Sequence, residues 1–171
     1  MEAKGSLKYV LIVAVLCINV GCDQISKKIA RDRIGYHQNI RFGDHVTFTK
    51  VENSGAFLSF GQYLPETLKV IAFRIFPIIM LIAVASAIVA KRRVSVLSIV
   101  GVGFFVGGGV GNIYDRLTYG AVTDFIRIHV WGFHTGIFNM ADVSILVGCC
   151  LILLDYSITM VARSTHAERI H

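Results

Sequence analysis

Charged side chains are scarce in this sequence. They make up 16% of its 171 residues, well below the roughly 25% of soluble chains, and that shortage excludes an ordinary water-soluble domain. The four cysteines, Cys17, Cys22, Cys149 and Cys150, lack any metal-type spacing and read as small helix-packing residues. His129 and His134 do not form a helical ligand pair, so neither a metal hydrolase nor any metal or other cofactor is expected. The glycine-rich run is not followed by a Lys-Ser/Thr signature, which argues against a phosphate loop. Acidic residues number 11 against 17 lysines and arginines, a net charge of +6. Those bases lie beside apolar segments, a placement that fits anionic lipid headgroups rather than nucleic acid.

What is present is hydrocarbon. Hydrophobic residues reach 54% and the mean hydropathy is +0.64, gathered into four blocks: Leu7 to Cys22, Leu68 to Ala90, Val94 to Ile113 and Ala141 to Ala162. A span needs roughly 20 apolar residues, so three blocks suffice and the first is short. That first block has an alternative as a signal sequence, since Val20-Gly21-Cys22 faintly resembles a lipoprotein cleavage box. Asn19 stands where such a box wants leucine, and a retained helix is the expectation. The chain then reads as one membrane domain over residues 1–171, with outer segments 23–67 and 114–139. Lys4 and Lys8, the Lys91-Arg92-Arg93 turn and the tail from Arg163 fall on one side, placing both termini in the cytoplasm and both longer connections outside. Lys27, Lys28, Arg31 and Arg33 count against this as bases on the outer side.

The outer segments alternate as strands do. His45 to Val51 sets Val46 and Phe48 on one face and Thr47 and Thr49 on the other. In Val122 to Val130, Asp124 shares a face with Val122, Ile126, Ile128 and Val130. A carboxylate aimed among aliphatic neighbours is not a solubility device. The expected fold class is therefore membrane α-helical with an α+β character: four transmembrane helices, a small extracytoplasmic β-sheet and a loop cap. Gly103, Gly107 and Gly111 recur at four-residue steps in the third block, with Gly101, Gly108 and Gly109 alongside. In a membrane such a stripe lets helices approach closely.

Polar residues collect at one boundary. Asp23 would end the first helix, Asn53 follows the first strand, Asn112, Asp115 and Arg116 end the third helix, and Asn139 and Asp142 open the fourth. Each alone has a structural explanation: Asn139 a helix cap, Asp115 and Arg116 a local ion pair, Asp142 a dipole-favoured surface acid. Together with Asp124 they suggest an acid/base pair, two carboxylates near hydrocarbon sharing one proton. Asp155 lies thirteen residues past Asp142, roughly 20 Å along a helix, and belongs to the opposite face, with Arg163 a possible partner. Arg74 reads as a snorkelling side chain and Pro77 as a kink. A proton-coupled transporter would distribute its acids through the membrane's depth, and an inert scaffold would leave Asp124 unexplained.

Five motifs occur in register: Asp23-Gln-Ile-Ser-Lys27, Asn53-Ser-Gly-Ala-Phe57, Gly107-Gly-Gly-Val-Gly-Asn112-Ile-Tyr-Asp115-Arg116, Val122-Thr-Asp124-Phe-Ile126 and Phe138-Asn139-Met-Ala-Asp142. Together they resemble the lipoprotein signal peptidases (signal peptidase II) of bacteria over nearly the whole chain. Before Phe138 the sequence reads Thr135-Gly136-Ile137, where many relatives have a proline. The resemblance implies a membrane aspartic endopeptidase that cuts prolipoprotein signal peptides just before a diacylglyceryl-bearing cysteine. It implies Asp124 and Asp142 as the catalytic pair, with Asp23, Asn53, Asn112, Arg116 and Asn139 shaping the site or contacting substrate. It further implies a monomer in the bacterial inner membrane, a periplasm-facing site and sensitivity to globomycin. Which aspartate carries the shared proton stays open at this level.

Overall fold

The structure, a computed structural model, describes residues 2–3, 6–36, 38–55, 61 and 63–168. Four helices are long and apolar enough to cross a membrane: α1 (Ser6–Arg33), α2 (Glu66–Ala90), α3 (Val96–Thr118) and α4 (Met140–Glu168), the last counted as a span to Ala162. Two short strands, β1 (Glu2–Ala3) and β4 (Val94–Ser95), pair antiparallel at one end. At the other end β2 (Ile40–Phe42), β3 (Val46–Asn53), β5 (Val122–Val130) and β6 (Phe133–His134) form an antiparallel sheet in the order β2-β3-β5-β6.

Helix α3 is the hub. Gly103, Gly107 and Gly111 face Val15, Asn19 and Asp23 of α1, so two four-residue stripes run against each other. Gly101 and Gly108 lie against Ile152 and Ala141 of α4, and Gly109 against Leu81 of α2. Without a hydrophobic drive between helices in lipid, this close approach supplies the dispersion contact that holds them together. A methyl group at Gly108 would run into the backbone oxygen of Ala141, which cannot swing aside as a side chain can. Gly108→Ala is therefore expected to destabilise the bundle by about 1–3 kcal/mol. A lowered melting temperature in detergent, with reduced activity because Ala141 adjoins Asp142, is the measurement that checks it.

Several sequence expectations change. Helix α1 does not end at Asp23 but continues to Arg33, because Asp23 and Lys27 one turn apart satisfy each other within the protein. The outer segment thus begins as helix. Lys8 is not a headgroup anchor: its Nζ donates to the carbonyls of Val89 (2.8 Å) and Lys91 (2.6 Å), tying α1 to the end of α2. Cys17, Cys22 and Cys150 are exposed on the outside of the bundle rather than packed between helices. Pro77 sits in the first turn after a π-helical turn, Ile71–Ile75, so its missing N–H is absorbed by a widened turn within one continuous span.

The sheet also departs from simple alternation. In β3 it is Thr47 and Thr49 that are buried, while Val46 and Phe48 are half-buried. In β5 both faces are covered through Phe125, because Phe125 packs on Ala30 of the α1 extension and on Ile34 just past its end. The β3–β5 register slips by one residue: Phe48 pairs with Ile126, but Val51 pairs with Asp124 and Asn53 with Val122. A bulge in β3 accounts for the extra residue. Continued without it, the first register would set Lys50 opposite Asp124 and turn Asn53 to the other face.

Candidate active site

Asp124 extends from β5 and is 4% exposed. The slipped register places Asn53 diagonally across from it on the same face, and Asn53 Nδ2 donates to Asp124 Oδ2 at 2.9 Å. Asn53 Oδ1 in turn accepts the Gly55 N–H at 3.0 Å. Beyond β5 the chain turns at Trp131–Gly132 and returns, and Phe138 bridges back to Ile126. That bridge sets the next residue, Asn139, beside Asp124, and Asn139 Nδ2 donates to Asp124 Oδ1 at 2.6 Å.

Asn139 is also the N-cap of α4. Its Oδ1 accepts the Asp142 N–H at 3.0 Å, and its own N–H donates to Asp142 Oδ2 at 3.2 Å. This reciprocal pair is a capping box with aspartate in place of glutamate. One asparagine therefore touches both acids. Asn112, from the last turns of α3, donates through Nδ2 to Asp142 Oδ1 at 2.9 Å and accepts Asn139 Nδ2 at 3.2 Å. Asp142 lies at the positive end of α4, with both oxygens receiving N–H donors.

Burial pushes the Asp124 carboxyl up to about 6, and the neighbouring charge on Asp142 acts in the same direction. The amide donors of Asn53 and Asn139 and the charge on Lys27 oppose that rise.

Residues 13–158 match the family model described as signal peptidase (SPase) II. A lipoprotein signal peptidase of Aquifex aeolicus is 32% identical over 86% of this chain and 86% of its own length. One from Chromobacterium violaceum is 34% identical over 90% of this chain and 93% of its own. A solved bacterial membrane enzyme superposes with a TM-score of 0.75 at 25% identity, covering 85% of this chain and 91% of that one. The chain belongs to the signal peptidase II family. It is an integral membrane protease, as the ordered motifs indicated.

In this signal peptidase II the structure brings all seven sequence-selected residues to one end of the bundle. Arg116 Nη2 donates to the Gly55 carbonyl at 2.8 Å, and its guanidinium stands 5.9 Å from the Phe73 ring centroid. Its Nε is buried and has no hydrogen-bond partner among the described residues. Asp23 Oδ1 accepts the Ala141 N–H at 2.9 Å, so it satisfies an orphan amide of α4 from α1. Asp115 is not a local partner of Arg116. It is fully buried against Lys27 (3.3 Å) and Arg31 (3.7 Å), and accepts the Thr123 N–H at 3.2 Å.

Asp155 stands apart, accepting the Ser98 hydroxyl at 2.6 Å near the other end of α3. The side chain of Arg163 lies outside the described residues, as do Lys4, Ala56 and Phe57. The site residue that sequence reasoning missed is Lys27. Counted there as an outer base, it is fully buried within 2.9 Å of both Asp23 Oδ2 and Asn112 Oδ1. The signal was present as the Asp23/Lys27 spacing of one helical turn.

Proposed function

We propose that this signal peptidase II removes the signal peptide of diacylglyceryl-modified prolipoproteins immediately before the lipidated cysteine, with Asp124 and Asp142 activating water. The observation that carries the reading is Asn139, which binds both carboxylates and so holds them at one point of the bundle. Buried, with its pKa raised to about 6, Asp124 is suited to hold the shared proton. Asp142, at the helix N-terminus, takes a proton from water as the hydroxyl adds to the scissile carbonyl. The tetrahedral oxygen collects the negative charge; Asp124 then protonates the leaving amine as the C–N bond breaks. Asn112 and Asn139 already spend amide hydrogens on the acids, so they position the pair. The Nε of Arg116, without a partner among the described residues, is a buried donor at the site left to meet the substrate's oxygen.

The setting completes the proposal. The site sits where the spans give way to the sheet, so a substrate's acyl chains stay in hydrocarbon while its scissile bond reaches the acids. The exposed Lys91, Arg92 and Arg93 lie at the opposite end, which supports a site facing the periplasm or cell exterior and both termini in the cytoplasm, with the enzyme in the bacterial inner membrane. The enzyme acts as a monomer and is blocked by globomycin-type cyclic peptides.

Cleavage of a synthetic diacylglyceryl-cysteine peptide, abolished by globomycin and absent for the unlipidated peptide, tests this reading; equal turnover of both peptides overturns it. A pH profile adds a second check. If one proton must remain on the pair, kcat/KM falls as pH rises through about 6, where Asp124 ionises in the free enzyme. A profile rising through that region instead would give Asp124 the role of base.

A further inference from the structure

Lys27 is the largest fully buried side chain of the described residues, and the mechanism above makes no use of it. A lysine ammonium carries three N–H donors and no acceptor. All three have oxygens to meet: Asp23 Oδ2 at 2.9 Å, Asn112 Oδ1 at 2.9 Å and Asp115 Oδ2 at 3.3 Å. Two of these are carboxylates, and Asp115 also faces Arg31 at 3.7 Å. The two acids and two bases thus balance, which removes the penalty of an isolated buried charge.

The third partner has no charge, and its orientation matters. Asn112 has an oxygen and an NH2 that can exchange places by a half-turn of the amide. With Lys27 supplying donors alone, the oxygen must face the ammonium, because a flipped amide would set donor against donor. Nδ2 is then directed to Asp142 Oδ1 at 2.9 Å. The same oxygen accepts Asn139 Nδ2, whose other hydrogen goes to Asp124 Oδ1. Polarity therefore passes from Lys27 through Asn112 to Asp142, and from Asn112 through Asn139 to Asp124.

We infer that Lys27 is a positioning residue for the reaction: its ammonium fixes the amide of Asn112 as a donor toward Asp142 and as an acceptor for Asn139, and so sets the hydrogen-bond polarity of the whole aspartate pair. This rests on the reading of Asp124 and Asp142 as the reacting acids. The charged groups around the pair are Asp23, Lys27 and Arg31 from α1, Asp115 and Arg116 from α3, and the two acids themselves from β5 and α4. Lys27 is the nearby positive charge that opposes the raised Asp124 titration.

Two variants test it, assayed in detergent on the diacylglyceryl-cysteine peptide. Lys27→Met keeps length and removes the donors; Lys27→Met with Asp115→Asn also removes one of the two carboxylates that face the ammonium. Both are expected to lose between about ten- and a hundredfold in kcat, with KM within about threefold, as misplaced catalytic groups do. In Lys27→Met the alkaline limb of the pH profile moves upward once the positive charge is gone. A structural role alone would lower the melting temperature and the active fraction, without moving that limb. Native kcat with an unmoved limb in Lys27→Met, or native melting with native kcat in the double variant, overturns the inference. Asp124→Asn is run alongside. Should it cleave at the native rate, the aspartate-pair reading fails; should it be inert while the Lys27 variants are unaffected, only the role of Lys27 falls.

Discussion

Asp124→Asn and Asp142→Asn are each expected to reduce cleavage of the lipidated peptide by at least about a thousandfold, the scale of a lost general acid or base, without unfolding the protein. Asparagine fills the same volume but can neither take a proton from water nor give one to an amine. It also conflicts locally. Asp124 accepts from Asn53 and Asn139 on separate oxygens, and Asp142 from Asn112 and the Asn139 N–H. One oxygen of each becomes an NH2 facing a donor.

Stability moves differently from activity at Asp124. Its folded pKa is about 6 against an ordinary 3.8, so the fold favours the protonated form. That contribution is present below about pH 4 and is lost as pH rises through 6, amounting to about 3 kcal/mol for a shift of this size. Above that pH Asp124→Asn no longer carries the penalty of a buried carboxylate, so its melting temperature is expected to stay near or above the native one. Melting curves and product formation on the same preparations check both halves. A folded Asp124→Asn or Asp142→Asn protein that cleaves fully would remove that residue from the chemistry. Asp155→Asn serves as the control, since Asp155 contacts Ser98 at the other end of α3 and its loss should leave turnover intact.

The second large effect belongs to Asn139. Asn139→Ala removes the donor to Asp124, the donor to Asn112 and the acceptor for the Asp142 N–H together. A loss of about a thousandfold in kcat is expected, at the upper end for one preorganising donor, because Asp124 loses its bond to Nδ2 while the cap that fixes the first turn around Asp142 goes with it. Removing the cap also costs about 1 kcal/mol in stability. Asn139→Ser separates the two roles. A serine hydroxyl caps a helix nearly as well as asparagine, but it cannot reach Asp124 and Asn112 with two hydrogens. Its melting temperature should recover while its kcat stays low. If Asn139→Ser regains native turnover, capping is the whole role of Asn139 and the bridge between the acids is dispensable.

Much of this architecture could be read from the chain because the physics is local or periodic. Four long apolar blocks give four spans, since a bilayer leaves a hydrophobic segment of that length few other solutions. The glycine stripe of α3 foretold close packing, although only the structure shows that its steps of four match Val15, Asn19 and Asp23 on α1. Asp124 and Asp142 stood out as acids close to hydrocarbon, and Asn139 as a cap. The errors have a common origin. Lys8 and Lys27 read as bases flanking the apolar blocks; each is buried because specific oxygens from other segments meet its ammonium. The cysteines were placed between helices because small residues pack there, but Cys17, Cys22 and Cys150 face outward.

By itself, then, the sequence determined how many times the chain crosses a membrane, which end gathers the polar side chains, and which family it joins. These follow from hydropathy and from short motifs whose order survives without knowledge of contacts. Tertiary structure decided the rest. A one-residue bulge in β3 put Asn53 rather than Lys50 on the face of Asp124, and α1 running past Asp23 brought a buried ammonium beneath the two asparagines. A strand's face reverses with a single inserted residue, and a charge is buried only where opposite groups converge. Neither is a property of any local stretch of chain.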